Sequence, residues 1–280
     1  MATGIVVRTI APFIQHKMLD PAVVVLDEMG TYAISLLSGH LGGANEVTNR
    51  VAKLVGATAV ITTASDLHGK MAIDMFAKNN GLIIDNLTHA KEVTALLLNG
   101  KCIDQRNETL LHLPTVYDHD NEADAVVLVT HRKDIQPLKP TVKLIPKNLV
   151  LGIGCRRDTS STAIIEFIRQ QLTELNIDCR ALLKIASVDV KSNEPGILKT
   201  ALRLKLPVVF INRDEIKTVE SHFCGSSFVK QTIGVSAVCE PVAFLAGGSK
   251  GRFLLHKTAS NGITLAIFEK DGLGGEMIYE

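Results

Sequence analysis

Ser38-Gly39-His40-Leu41-Gly42-Gly43-Ala44-Asn45-Glu46 sets three glycines around a histidine just ahead of an amphipathic run. Glycines before a helix let the backbone approach a ligand closely, and the helix's unpaired N–H groups and dipole favour an anion there. His40 and Glu46 can add proton transfer near neutral pH. A tight strand-to-helix turn, with Glu46 only complementing the dipole, is the competing reading. The residues alone leave both open.

Three further stretches carry candidate chemistry. Gly152-Ile153-Gly154-Cys155-Arg156-Arg157 has the first two glycines of a dinucleotide loop, but Arg157 stands where the third belongs. Nothing marks Asp178 as the end of a second strand, so nicotinamide binding is rejected. Arg156 and Arg157 suit carboxylates or phosphates, since each guanidinium offers a fork of donors; two solvated arginines are the plainer alternative. In Ser187-Val188-Asp189-Val190-Lys191-Ser192-Asn193-Glu194, Lys191 can hold a carboxylate and Glu194 can act as a base; Ser192 or Asn193 as a helix cap, with Glu194 a first-turn charge, is the plainer reading and the one favoured for Glu194. Val238-Cys239-Glu240-Pro241 sets a carboxylate among apolar residues at a helix start, where partial burial suits it to acid or base work and dipole pairing is the alternative. His68, His89, His112, His119, His131, His222 and His256 show no metal-ligand spacing and read as surface or packed residues. No metal site is expected.

These residues need elements to position them. Val23–Leu26 and Thr31–Leu37 have strand patterns around an Asp27–Gly30 turn. Ala44, Val47, Val51, Leu54 and Val55 keep a 3.6-residue period that Gly56 ends, and Ala59–Thr62 is a further strand. The middle, 67–147, is less regular: a helix around Met71, Met75 and Phe76, another over Val93–Leu98, and a strand at Asp124–Val129. Pro137, Pro140 and Pro146 then predict a linker with little regular structure. From Leu149 a fresh strand–loop–helix pattern begins. Ser160 or Ser161 caps a helix with the face Ile164, Ile168, Leu172 and Leu175, strands follow at Leu183–Ala186 and Pro207–Ile211, and Asn193-Glu194-Pro195 opens another helix. Asn261-Gly262 predicts a hairpin between Arg252–His256 and Ile263–Phe268.

At 280 residues the chain exceeds one ordinary core, so two or three domains are expected: 1–66, 67–147 and 148–280. The residue mix, 46% hydrophobic with only 4% aromatic, fits an α/β protein of three-layer segments. Thirty Lys+Arg against 29 Asp+Glu give a formal charge of +1, which excludes the basic field of a nucleic-acid binder. Five cysteines without a CxxC pair read as reduced thiols, and no apolar run approaches a membrane span, so a cytoplasmic protein is expected.

Taken together, the strings Ala2–Pro12, Asp20–Val25, Leu37–Asn45, Val60–Asp66, Gly152–Arg156, Ser187 with Lys191 and Glu194, and Gly234-Val235 followed by Glu240-Pro241 and Ala243 resemble the CbiG family of anaerobic cobalamin synthesis, in the family's order and spacing. The middle segment resembles it only loosely. The resemblance implies a three-part enzyme that opens the δ-lactone of cobalt-precorrin-5A and releases acetaldehyde. It implies an N-terminal domain with further strand and helix material ahead of Ala2, so the first domain reads as partial, while the last domain reads as independent. Arg8, Lys17, Arg156 and Lys191 are then expected at the substrate's acetate and propionate groups. Gly42, Gly43 and Asn45 are expected at the substrate too, with the Gly42 and Gly43 N–H groups as oxyanion donors. His40 would position the water, with Glu46 and Glu240 as further proton-transfer candidates. The cobalt would come with the tetrapyrrole and no cofactor is expected. Partners would be other cobalamin-pathway enzymes or a second copy in a homodimer, with no nucleic acid and no membrane. A non-catalytic corrinoid hand-off protein is the competing class, because the CobE proteins resemble only the last segment.

Overall fold

The computed structural model describes residues 1–16, 19–39, 42–62, 71–117 and 122–272, which form three sheets. In the first, β1 (Val23–Leu26) pairs antiparallel with β2 (Tyr32–Leu37), and β2 pairs parallel with β3 (Thr58–Val60). The Asp27 carboxylate accepts the Tyr32 N–H at 2.8 Å, closing the turn predicted there. A helix not foreseen in the sequence, α1 (Thr3–Ile10), precedes this sheet. Helix α2 (Ala44–Val55) connects β2 to β3 and ends at Gly56, whose φ of 73° is the left-handed cap that glycine tolerates. The face it buries differs from the expected one. Ala44, Thr48 and Ala52, spaced four apart, are buried, whereas Val47, Leu54 and Val55 are exposed. Small side chains along the i, i+4, i+8 line let the helix sit close to β2.

The middle region is more regular than its sequence suggests. Strands β4 (Leu82–Ile84), β5 (Ile103–Asn107), β6 (Ala125–Val129) and β7 (Thr141–Pro146) form a sheet ordered β4-β7-β6-β5. Helices α3 (Ile73–Asn79) and α4 (Leu87–Leu98) pack on it around Phe76, Val93, Val127 and Leu144. The expected proline linker is therefore corrected: Thr141–Pro146 is an interior strand, with Val142, Leu144 and Ile145 fully buried. Pro140 precedes this strand and Pro146 ends it, positions where a missing N–H breaks little of the ladder. Only Lys147 and Asn148 separate β7 from the next sheet.

That last sheet is the three-layer α/β unit anticipated. β8 (Leu149–Cys155), β9 (Leu182–Val188) and β10 (Val208–Ile211) run parallel, and β12 (Ile263–Lys270) and β11 (Gly251–Ser260) extend the sheet antiparallel beyond β8. Alternation along β8 divides the two cores. Leu149, Leu151 and Ile153 face α5 (Ser161–Glu174) and α6 (Pro195–Leu204). Val150 faces α7 (Arg213–Val219), α8 (Ser227–Ile233) and α9 (Cys239–Ala246). Ser160 caps α5 as expected, accepting the Ala163 N–H. The Asn261-Gly262 turn joins β11 to β12, both residues at positive φ, with Ser260 opposite Ile263.

A buried polar seam joins the middle and last sheets. The Glu269 carboxylate, fully buried, accepts the Leu110 N–H and the Arg252 Nε–H, each at 2.7 Å. Beside it, the His131 Nε2 and Asn148 Oδ1 lie 2.7 Å apart. Asp178 takes Arg180, and Lys143 sits 3.6 Å from it and 3.5 Å from Asp85. Burial holds the His131 imidazole below its ordinary value, outweighing the Asn148 bond and the Glu269 charge.

Candidate active site

The Gly-rich loop folds on itself. Ser38, at φ 57°, bonds through Oγ to the Asp20 carbonyl at 2.8 Å, and its own carbonyl accepts the Ala44 N–H at 3.1 Å. The Gly39 carbonyl accepts the Asn45 N–H at 2.9 Å. Two of the first N–H groups of α2 are thus engaged inside the loop, which narrows the anion site expected there. A Cβ on Gly42 would lie 2.3 Å from the Ser38 Cβ, so this glycine is required by close packing. Asn45 is half-buried and its Oδ1 accepts the Ser35 hydroxyl at 2.6 Å, the geometry of a loop clamp. Gly43 takes φ 83° at the helix cap. Glu46 is exposed on the first turn of α2, and Arg8 is exposed in the last turn of α1. His40 and Lys17 lie outside the described residues.

The remaining candidates gather on the last sheet. At Gly152 a Cβ would fall 1.8 Å from the Cys239 carbonyl oxygen, so glycine lets the start of α9 rest directly on β8. Arg156 is exposed beyond the end of β8. Its N–H donates to the Gly262 carbonyl at 3.1 Å, and its Cδ lies 2.8 Å from where a Cβ on Gly262 would sit. The guanidinium makes no ion pair among the described residues, leaving its donors to solvent or ligand. Lys191 differs from expectation: it is buried and its Nζ lies 2.9 Å from Glu194 Oε2. Glu194 stands at the N-cap position of α6, yet makes no side-chain cap bond. Its other oxygen accepts the Asp158 N–H at 3.0 Å, tying the loop after β8 to the loop after β9. The pair is a brace beneath the site, and Lys191 is committed to it. Burial pushes the neighbouring Cys155 thiol up, so it remains protonated near neutral pH.

Glu240 is buried in the first turn of α9, and Oε1 lies 2.9 Å from the Nδ1 of His256 on β11. The His256 side chain is 78% exposed, and its ring lies 5.1 Å from that of Phe253. Sequence reasoning set His256 among the ordinary histidines. A register shift explains the omission: Leu255 pairs with Ile267 but Thr258 pairs with Leu265, so β11 carries one extra residue between them. His256 and Lys257 share one opposing position, and such bulges re-aim side chains. Strict alternation from the Asn261-Gly262 turn would not place His256 beside α9. Cys239, next to Glu240, is pushed up to about 11 by burial and stays a thiol.

A separate cleft of about 720 Å³ lies against the middle sheet, lined by Arg106, Glu108, Arg132 and Lys139 among others. Arg106 is paired with Asp104 and Arg132 with Glu108, so its charge is largely settled internally.

Comparison with known proteins decides the family. Residues 1–66 match Cobalamin synthesis G N-terminal, 71–146 the Cobalamin biosynthesis central region, and 149–268 Cobalamin synthesis G C-terminus. The chain belongs to the CbiG family. Among its relatives is the cobalt-precorrin-5A hydrolase of Salmonella typhimurium, 38% identical across 95% of this chain and 79% of that protein. Another is the cobalt-precorrin-5A hydrolase of Priestia megaterium, 32% identical across 95% of this chain and 76% of that one. A solved structure, a putative cobalamin biosynthesis protein G homolog from Sulfolobus solfataricus, is 25% identical, covering 97% of this chain and 81% of that chain at a TM-score of 0.39. The middle region, which resembled the family only loosely on its motifs, is matched nearly end to end. Among the described residues no group of three or more His, Cys, Asp or Glu is arranged to hold a metal ion, and no helix is long and apolar enough to cross a membrane.

Proposed function

We propose that this CbiG-family chain is a cobalt-precorrin-5A hydrolase, adding water across the substrate's lactone and releasing a two-carbon fragment as acetaldehyde. The observation that carries the reading is the match, in order, to all three parts of the family, with hydrolase relatives aligned over most of their own length. In this reading the cobalt arrives within the substrate and needs no resident metal. The reaction takes place in the cytoplasm, between the enzymes that make and use the corrinoid, with a homodimer compatible with it.

The exposed Arg156 is the carboxylate partner this reading favours, because its fork of donors is open and its backbone is fixed by the Gly262 carbonyl. Lys191 serves that loop indirectly through Glu194. Arg8, Lys17, Gly42, Gly43 and Asn45 are the corresponding N-terminal candidates, with His40 and Glu46 as candidates for proton transfer. The test is incubation of the purified chain with cobalt-precorrin-5A, following acetaldehyde and the opened product. One acetaldehyde per corrinoid, over many turnovers, supports the hydrolase. Tight binding with the corrinoid returned unchanged means a hand-off protein instead.

A further inference from the structure

Glu240 and His256 make a pair of a kind that the surrounding packing does not require. A carboxylate in the first turn of a helix is served by the dipole and by solvent. Here it is buried instead, and the partner it meets is an imidazole on the sheet's edge strand. That imidazole is held twice, by the carboxylate at Nδ1 and by the Phe253 ring at 5.1 Å, while most of the side chain stays open. A solvated surface histidine needs neither contact. The register shift at His256–Lys257 is what brings the ring to the α9 face. A base oriented by a third group, with its second nitrogen free to exchange a proton, is the recurring arrangement of general acid–base catalysis.

The surroundings suit a flat, apolar-faced ligand. Phe253 continues edge-to-face into Phe223 at 5.9 Å and Phe268 at 4.9 Å, and Phe223 into Phe244 at 5.8 Å. Phe223, Phe244 and Phe253 are only partly buried, so an aromatic ledge adjoins the imidazole. Arg156 lies at the hairpin turn. Four strand residues, Lys257–Ser260, separate that turn from His256, five steps of about 3.3 Å or roughly 15 Å with the bulge. A ligand reaching both is a large one with acid arms.

We infer that His256, oriented by Glu240, is the group that moves protons in the hydrolysis, an inference that rests on the proposed hydrolase activity. Its Nε2 takes a proton from water as the water oxygen bonds to the lactone carbonyl carbon. When the ring C–O bond breaks, the same proton passes to the departing oxygen, leaving a carboxylic acid and an alcohol. In the second stage Nε2 takes the alcohol's proton as the carbon–carbon bond breaks. Acetaldehyde leaves, and the electron pair remains on the macrocycle, which accepts the proton. Glu240 touches no reacting atom in this scheme and is a positioning residue.

The experiment measures acetaldehyde release from cobalt-precorrin-5A by the wild-type chain and by His256→Gln, His256→Ala, Glu240→Gln and His40→Ala. His256 is exposed, so its variants keep the fold, which circular dichroism checks. We expect kcat to fall about 100-fold or more in both His256 variants with KM within about three-fold. Added free imidazole should restore part of the rate to His256→Ala, and Glu240→Gln should lose about ten-fold. His256 variants with near-normal kcat overturn the inference, and a collapse confined to His40→Ala moves the base to the N-terminal loop. A raised KM at unchanged kcat, or a cobalt absorption band that shifts on binding only when His256 is present without a kcat loss, overturns it in favour of a binding role. A wild-type chain that releases no acetaldehyde sinks the hydrolase reading and the dyad's role with it. Release indifferent to His256 sinks the dyad alone.

Discussion

Glu269→Ala tests whether the middle and last sheets act as one cooperative body. The carboxylate is fully buried and accepts two hydrogen bonds at 2.7 Å, one from the Leu110 N–H of the middle region and one from Arg252. A hydrogen bond to a charged group is worth about 1.5–3 kcal/mol, and the stranded Leu110 N–H adds a share of its desolvation cost. Arg252 is half exposed and regains water when its partner goes, so its bond counts for about 1 kcal/mol or less. The sum is about 3 kcal/mol, roughly 6–12 °C in Tm for a cooperative unit of this size. Glu269→Gln keeps an acceptor for Leu110 and should cost about half as much. Differential scanning calorimetry reads both. If Glu269→Ala melts within 2 °C of wild type, the seam contributes little and the two sheets unfold separately.

The other expectations concern the same framework. Burial holds His131 down, so it stays neutral when folded; the stability this gives is complete above its unfolded value of about 6.5 and is lost as pH falls below it. In Asp178 burial pushes the carboxyl up, but the bonds and charge of Arg180, with Lys143, outweigh it and hold it low; that stability is present above about 3.8 and lost at still lower pH. Tm against pH should therefore bend downward below about pH 6.5 and steepen near pH 4, and His131→Gln should flatten the first bend. Arg156→Ala should weaken binding of cobyrinic acid, a corrinoid rimmed with carboxylates, about ten-fold, while leaving the fully amidated cobinamide unaffected; equal effects on both would make Arg156 a packing residue. Gly152→Ala should destabilise the last domain by about 1–3 kcal/mol in urea titration, because the new methyl meets the Cys239 carbonyl at 1.8 Å; wild-type stability would mean that α9 shifts freely on β8.

Where side chains alternate regularly, the sequence was a sufficient guide. The β8 strand, the Ser160-capped helix and the Asn261-Gly262 hairpin all stand where their local signals put them, because each is decided by a few adjacent residues. The failures came where neighbours distant in sequence decide. Three prolines suggested a break in the middle region, yet Thr141–Pro146 is buried between β4 and β6, and only the placement of Pro140 and Pro146 at its ends reconciles the two. Val47, Leu54 and Val55 advertised a helix face that the close approach of α2 to β2 hands to Ala44, Thr48 and Ala52.

The candidate site shows the same division more sharply. Glu240 could be singled out from sequence because Cys239 and Pro241 surround a carboxylate with apolar residues at a helix start. Lys191 was visible as a charge in a loop after a strand, but its pairing with Glu194 is decided by how that loop folds onto the start of α6. His256 could not be found by counting from the hairpin turn, since one extra residue between Leu255 and Thr258 shifts the parity of the strand. Such a shift costs ladder hydrogen bonds and persists only where something is gained. What is gained here is an imidazole brought to within 2.9 Å of a buried carboxylate on a neighbouring helix. Removing the bulge by deleting His256 should therefore leave Lys257 alone opposite Ala266 and take the imidazole from Glu240, while keeping the hairpin. If the imidazole serves the chemistry, that deletion abolishes turnover in a protein that is still folded. A deletion variant that is folded, stable and fully active would show that the bulge belongs to the edge of the sheet and not to the site.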